Sequence, residues 1–172
     1  MKKMLIAATV AATLASFSTQ AANQGQGVVN FKGVVINAPC GIAPESVDQT
    51  IDFGQISKSH LEAGGISVQK NVDIKLINCD IAQINNGVTV TFTGNIVNGT
   101  ADELNTAGNT GTAVVINGYN KNVTYGQAFD AIKLQADNNT LHFTSWVKKA
   151  TGAPAVAEGA FSATANFSLA YN

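Results

Sequence analysis

The chain contains no arginine. Proteins that bind nucleic acid cluster cations and favour arginine for bidentate contacts to phosphate and guanine, so that class of partner is not expected. Charge of either sign is scarce, with ten lysines set against 11 acidic residues. Long apolar runs are missing as well. The longest, from Met4 to about Phe17, is too short for a helix that crosses a bilayer. Catalytic hardware is equally thin. His60 and His142 are the only histidines, distant in sequence and without ligand-spaced carboxylates. The patterns Gly-x-Ser-x-Gly, Gly-x-x-x-x-Gly-Lys and His-Glu-x-x-His are absent. Asp102-Glu103 and the pair Asp48 and Asp52 stand in turn-like segments, where solvated loop charge is expected rather than an acid–base pair. No enzyme activity, cofactor, metal or small-molecule substrate is therefore expected.

What is present begins at the N-terminus. Lys2 and Lys3 precede the apolar run, which gives way to Ser18-Thr19-Gln20-Ala21-Ala22. A basic start, a short apolar stretch and a small-residue exit describe a secretory signal peptide over 1–21, with cleavage after Ala21 or, alternatively, Ala22. Without it, eight lysines face 11 acidic residues, and the exported chain is expected to be soluble. Two cysteines, Cys40 and Cys79, lie beyond the signal. An even pair in an exported chain reads first as a disulfide. Two buried thiols are the alternative, and a metal site is weaker because too few ligands accompany them.

The rest reads as strands separated by turns. Val72, Ile74 and Leu76 alternate with Asp73, Lys75 and Ile77 before Cys79, and Val88, Val90 and Phe92 alternate with threonines. Val114-Val115-Ile116 is a β-branched run, and Leu141, Phe143, Ser145 and Val147 alternate with His142, Thr144, Trp146 and Lys148. His142 thus falls on a polar face, as an ordinary exposed histidine. Asn85-Asn86-Gly87, Asn98-Gly99, Ala107-Gly108-Asn109 and Asn117-Gly118 supply the turns. One short helical turn is expected over Ser57 to Gly64. Period-two alternation at this spacing predicts a single all-β domain, an antiparallel sandwich.

The two ends are anomalous. Phe161, Ala163, Ala165, Phe167, Leu169 and Tyr171 line one face of a predicted long strand that runs to Asn172 with no following partner. Such an edge is a hazard unless something pairs with it. At the other end, polar Ala22 to Gly27 is followed by Val29, Phe31, Gly33 and Val35 alternating with Asn30, Lys32 and Val34. That strand either closes its own sandwich or adds to another chain, and periodicity does not choose.

Gln24-Gly25-Gln26-Gly27, Val29-Asn30-Phe31-Lys32-Gly33-Val34-Val35 and Ala38-Pro39-Cys40 open a series of short motifs that covers nearly the whole exported chain. Ile51-Asp52-Phe53-Gly54, Leu61-Glu62-Ala63-Gly64-Gly65, Leu76-Ile77-Asn78-Cys79-Asp80, Phe92-Thr93-Gly94, Gly111-Thr112-Ala113 and Glu158 to Ala163 follow, with Tyr171 penultimate and Gly159 upstream. In this order they resemble the major subunits of chaperone–usher pili, those of P pili more than those of type 1 fimbriae. The resemblance implies an incomplete immunoglobulin-like β-sandwich lacking its final strand. It implies an N-terminal extension over 22–37 and a pilin domain over 38–172. It implies a structural subunit that polymerises with identical copies by donor-strand exchange, or alternatively a minor adaptor or polymeric adhesin. Its partners would be a periplasmic chaperone and an outer-membrane usher, its place an extracellular fimbria reached through the periplasm. Val29, Phe31, Gly33 and Val35 become the donor strand; Asn37, where a larger apolar residue is expected, lies beyond it. Gly159, Phe161, Ala163, Ala165, Phe167, Leu169 and Tyr171 become the groove strand and chaperone contact. Asn-x-Ser/Thr sequences at Asn98, Asn122, Asn138 and Asn166 are then coincidental.

Overall fold

The computed structural model describes residues 27–172; the predicted signal peptide and its cleavage position lie outside them. The chain divides at Val35/Ile36. Residues 27–35 form neither strand nor helix, and their apolar side chains stand in solvent, Phe31 being 91% exposed.

From Ile36 onward the elements are almost all strands: β1 (Gly41–Ile42), β2 (Lys70–Cys79), β3 (Val88–Gly94), β4 (Leu104–Asn105), β5 (Thr112–Gly118), β6 (Lys121–Asn122), β7 (Asp137–Lys149) and β8 (Ala165–Tyr171). Two short α-helices, α1 (Pro44–Val47) and α2 (Lys58–Glu62), and a single 3-10 turn, Ile81–Gln83, interrupt them. The expected turn near Ser57 is α2, capped by the Ser57 hydroxyl, which accepts from the His60 N–H.

One antiparallel sheet runs β1-β2-β7-β5-β4, with β6 pairing β5; the other is the pair β3-β8. Alternation puts Ile74, Leu76, Leu141, Phe143 and Val147 of the first sheet and Val88, Val90 and Phe92 of the second into one core. Phe143 sits at its centre, edge-on to Phe92 at 5.1 Å and to Phe129 at 5.6 Å.

Cys40 and Cys79 are joined as a disulfide, their Cα atoms 4.2 Å apart. The bond lies beside the ladder that pairs Gly41 with Ile77, and the Asp80 N–H donates to the Pro39 carbonyl. It therefore fixes the first residues of the body to the end of β2.

Two expectations need correction. The C-terminal strand is not continuous from Phe161: it begins at Ala165, and Gly159, Phe161 and Ala163 precede it. Upstream, the Ala157 N–H donates to Thr110 and Ser162 pairs with Ala107. More residues lie between 157 and 162 than between 107 and 110, so the chain bulges there, and Ala163 is exposed. Gly108 (φ 98°) permits the approach, since a Cβ there would fall 2.1 Å from the Ala160 carbonyl oxygen. The second correction is Glu103, expected to be a solvated loop charge but only 3% exposed. The Lys148 ammonium donates to it, as do the Thr151 N–H and hydroxyl at 2.8 and 2.6 Å.

Candidate functional site

The second sheet is short of a strand. On one side of β3, the Val88 N–H donates to Ile132, the Phe129 N–H to Val90 and the Gly126 N–H to Phe92. Residues 126–132 therefore run along that edge, linked by bridges at Thr91–Ala128 and Val88–Ile132. On the other side lies β8, with Val88 opposite Tyr171, Val90 opposite Leu169 and Phe92 opposite Phe167. In an antiparallel ladder, hydrogen-bonded and non-bonded pairs alternate. Since Val88, Val90 and Phe92 turn their polar groups toward 126–132, the intervening Thr89, Thr91 and Thr93 bond to Ala170, Ser168 and Asn166. The Asn172 N–H, donating to Gly87 at 3.0 Å, fits this phase. Ala165, Phe167, Leu169 and Tyr171 consequently point their N–H and C=O groups away from β3. Among the described residues no other strand pairs with β8.

The same four side chains are half-buried and pack on the core from its margin. Burial pushes the Tyr171 phenol up from its usual pKa, so it stays neutral. Beside them opens a groove of about 840 Å³. Its floor includes Ile42 and Val72 of the first sheet, Val114 and Ile116 of β5, Leu104 of β4 and Phe92 of β3. One wall is formed by Phe161 to Phe167, and the facing wall by the extended segment Val47 to Phe53. In that segment Gln49, Ile51 and Phe53 are half-buried while Thr50 and Asp52 are exposed. Its backbone from 49 to 56 makes no main-chain hydrogen bond among the described residues; only the Asp52 carboxylate accepts from the Gly54 N–H, at 2.8 Å. The groove thus has an apolar floor between two extended segments with unpaired backbone, a geometry that suits a strand (period two, one face apolar).

The Glu103 clamp holds one part of this floor. Burial works to raise the Glu103 pKa, but hydrogen bonds from Lys148 and Thr151 outweigh it and hold the carboxyl below its usual range. Leu104 follows directly and projects into the groove.

The predicted site residues therefore divide. Ala165, Phe167, Leu169 and Tyr171 lie on β8 with the open edge; Phe161 and Ala163 line the groove before the strand begins, and Gly159 stands outside it, in the bulge. Val29, Phe31, Gly33 and Val35 belong to the exposed segment 27–35 and have no strand partner among the described residues. The facing wall from Val47 to Phe53 escaped sequence reasoning, although Ile51 and Phe53 alternate there with Asp52; the run is short and bordered by polar residues. Among the described residues no group of three or more His, Cys, Asp or Glu is placed to hold a metal. No described helix is long and apolar enough to cross a membrane.

Residues 29–172 match the family model described as Fimbrial protein. The Pap fimbrial major pilin protein of Escherichia coli is 51% identical over 185 residues, covering 99% of this chain and all of that one. The Fimbria A protein of Serratia marcescens is 40% identical over 97% of each chain. Among solved structures, a chaperone–usher pilus subunit superposes with a TM-score of 0.82 at 52% identity, over 87% of this chain and 97% of the other. The crystal structure of the P pilus rod subunit PapA gives 0.74 at 52% identity, over 78% of this chain and all of that one. An open-edged, immunoglobulin-like sandwich with this degree of likeness to major pilins along its length belongs to the fimbrial protein family.

Proposed function

We propose that the chain is the structural rod subunit of a bacterial fimbria and polymerises by donor-strand exchange. It is exported through the periplasm and works in the fimbria outside the cell, where the rod supports adhesion. The extension, 22–37, acts as donor and the body, 38–172, as acceptor. The observation that carries this reading is the outer edge of β8, with unpaired backbone at Ala165, Phe167, Leu169 and Tyr171, the first two of which line an apolar groove. The donor is Val29 to Val35 of another copy. Its backbone completes the ladder, and Phe31 and Val35 enter the groove; burying a side chain of the size of Phe31 contributes roughly 1.5–3 kcal/mol. Gly33, without a Cβ, suits a shallow position where two backbones come close. Before assembly a periplasmic chaperone covers the same edge, including the segment from Gly159 to Tyr171, and an outer-membrane usher directs the exchange. Likeness to major pilins and a rod subunit favours the rod over a minor adaptor.

Gly33→Asn separates donor function from folding. A Cβ at Gly33 meets nothing within 4 Å in the free subunit, so the substitution leaves the body intact. Cells making this variant with a matching chaperone and usher should show no fibres by electron microscopy, where the unsubstituted chain gives them. Normal fibres from Gly33→Asn would contradict the exchange.

A further inference from the structure

The groove carries charge on one wall only. Among the described residues Asp48 and Asp52 are the only acidic side chains that line it, and no lysine or histidine does. Neither aspartate has an ion-pair partner among the described residues: the five pairs present use Glu45, Asp130, Asp73, Glu103 and Glu62. Asp52 lies on the outward face of its segment, between half-buried Ile51 and Phe53. Residues 27–36 carry one charge, Lys32, which is exposed and likewise without an ion pair among the described residues. When Val29, Phe31, Gly33 and Val35 face the groove floor, period two turns Lys32 to the open side. There its neighbours across the ladder are the outward residues of the two walls. Those on β8 are neutral (Asn166, Ser168, Ala170), whereas the facing wall offers Asp48 and Asp52.

Resting on the strand-exchange reading, we propose that Lys32 of one copy pairs with the acidic wall, Asp48 and Asp52, of the next, and that this pair steers the incoming donor and fixes its register. Apolar alternation alone tolerates a slip of two residues, because each such slip again turns one apolar face to the floor. Gly33 at the shallow position and a single positive charge opposite a short acidic segment each break that degeneracy. It also speeds encounter between copies, an effect that salt screens. The pairing belongs to the exposed rim, so it acts on rate and register more than on the final stability of the polymer.

The test uses a labelled peptide with the sequence of residues 27–36 and the full-length chain, with binding rates measured at about 0.01 M and about 1 M salt. The Lys32→Glu peptide should bind roughly tenfold more slowly at low salt, and the difference should vanish at high salt. A chain carrying Asp48→Lys and Asp52→Lys should reverse the preference, and one carrying Asp48→Asn and Asp52→Asn, a milder change, should abolish it. Equal rates for the two peptides at low salt, or a preference unmoved in both altered chains, would overturn the charge pairing while leaving strand addition intact. Failure of both peptides to bind would overturn strand addition itself, and the pairing with it.

Discussion

Two segments of this chain have nearly the same pattern and opposite fates. Val29, Phe31, Gly33 and Val35 alternate as regularly as Ala165, Phe167, Leu169 and Tyr171. The C-terminal set forms β8, in seven-residue register with β3. The N-terminal set forms no strand, and Phe31 and Val35 stand fully in solvent. The difference is the partner. A strand exists only where its backbone groups have somewhere to bond; alternation makes a segment fit for a ladder without supplying one. β8 found one neighbour and still offers its second edge, while the N-terminal segment has both edges open. Together they form a donor and an acceptor within one sequence.

This contrast breaks hardest at Phe92, which is 2% exposed and touches both Phe143 and Phe167. Phe92→Ala should cost about 3–5 kcal/mol in urea unfolding, loosening β3 and β8 together. The disulfide comes next. Replacing Cys40 and Cys79 by serine releases the start of the body from β2 and should cost roughly 3–4 kcal/mol in the chain-entropy view, measured by the same titration under oxidising conditions.

A smaller effect isolates the groove floor from both ends. Glu103→Gln should destabilise the body by about 1–3 kcal/mol, because the partners of the carboxylate lose a charged acceptor. The folded pKa of Glu103 lies below its ordinary 4.5. Its contribution is therefore complete above that value and is lost as pH falls through the lower, folded pKa. Unfolding midpoints of the unsubstituted chain and Glu103→Gln should converge on acidification below about pH 4.5 and stay apart at neutral pH. The smallest change sharpens the comparison most. Phe31→Ala should leave the stability of the subunit unchanged within about 0.5 kcal/mol, even though it removes as large a side chain as Phe92→Ala does. A loss comparable to that of Phe92→Ala would mean that Phe31 already serves its own chain.

Much of the framework was legible. The alternations at Val72–Leu76, Val88–Phe92 and Leu141–Val147 became β2, β3 and β7, because each lies with one face on the core. The pairing of residues 126–132 with β3 was not, since it consists of separate bridges and holds Gly126 and Phe129 without regular alternation. Glu103 looked like a loop charge because burial of a carboxylate is decided by partners 45 and 48 residues away, Lys148 and Thr151. The break before Ala165 was hidden for a similar reason: the bulge opposite Gly108 is a property of two distant segments. Of the groove, sequence revealed the C-terminal wall but not the facing one, whose backbone is extended yet unpaired.

The most direct measurement is amide hydrogen exchange along β8, residue by residue, before and after adding a peptide of residues 27–36. In the subunit alone, the N–H groups of Phe167, Leu169 and Tyr171 should exchange quickly, while those of Asn166, Ser168 and Ala170, bonded to β3, are protected. With the peptide, the first three should become protected as well. Protection of all six without peptide, or fast exchange at Phe167, Leu169 and Tyr171 with peptide bound, would contradict the claim that a strand from another copy completes this fold.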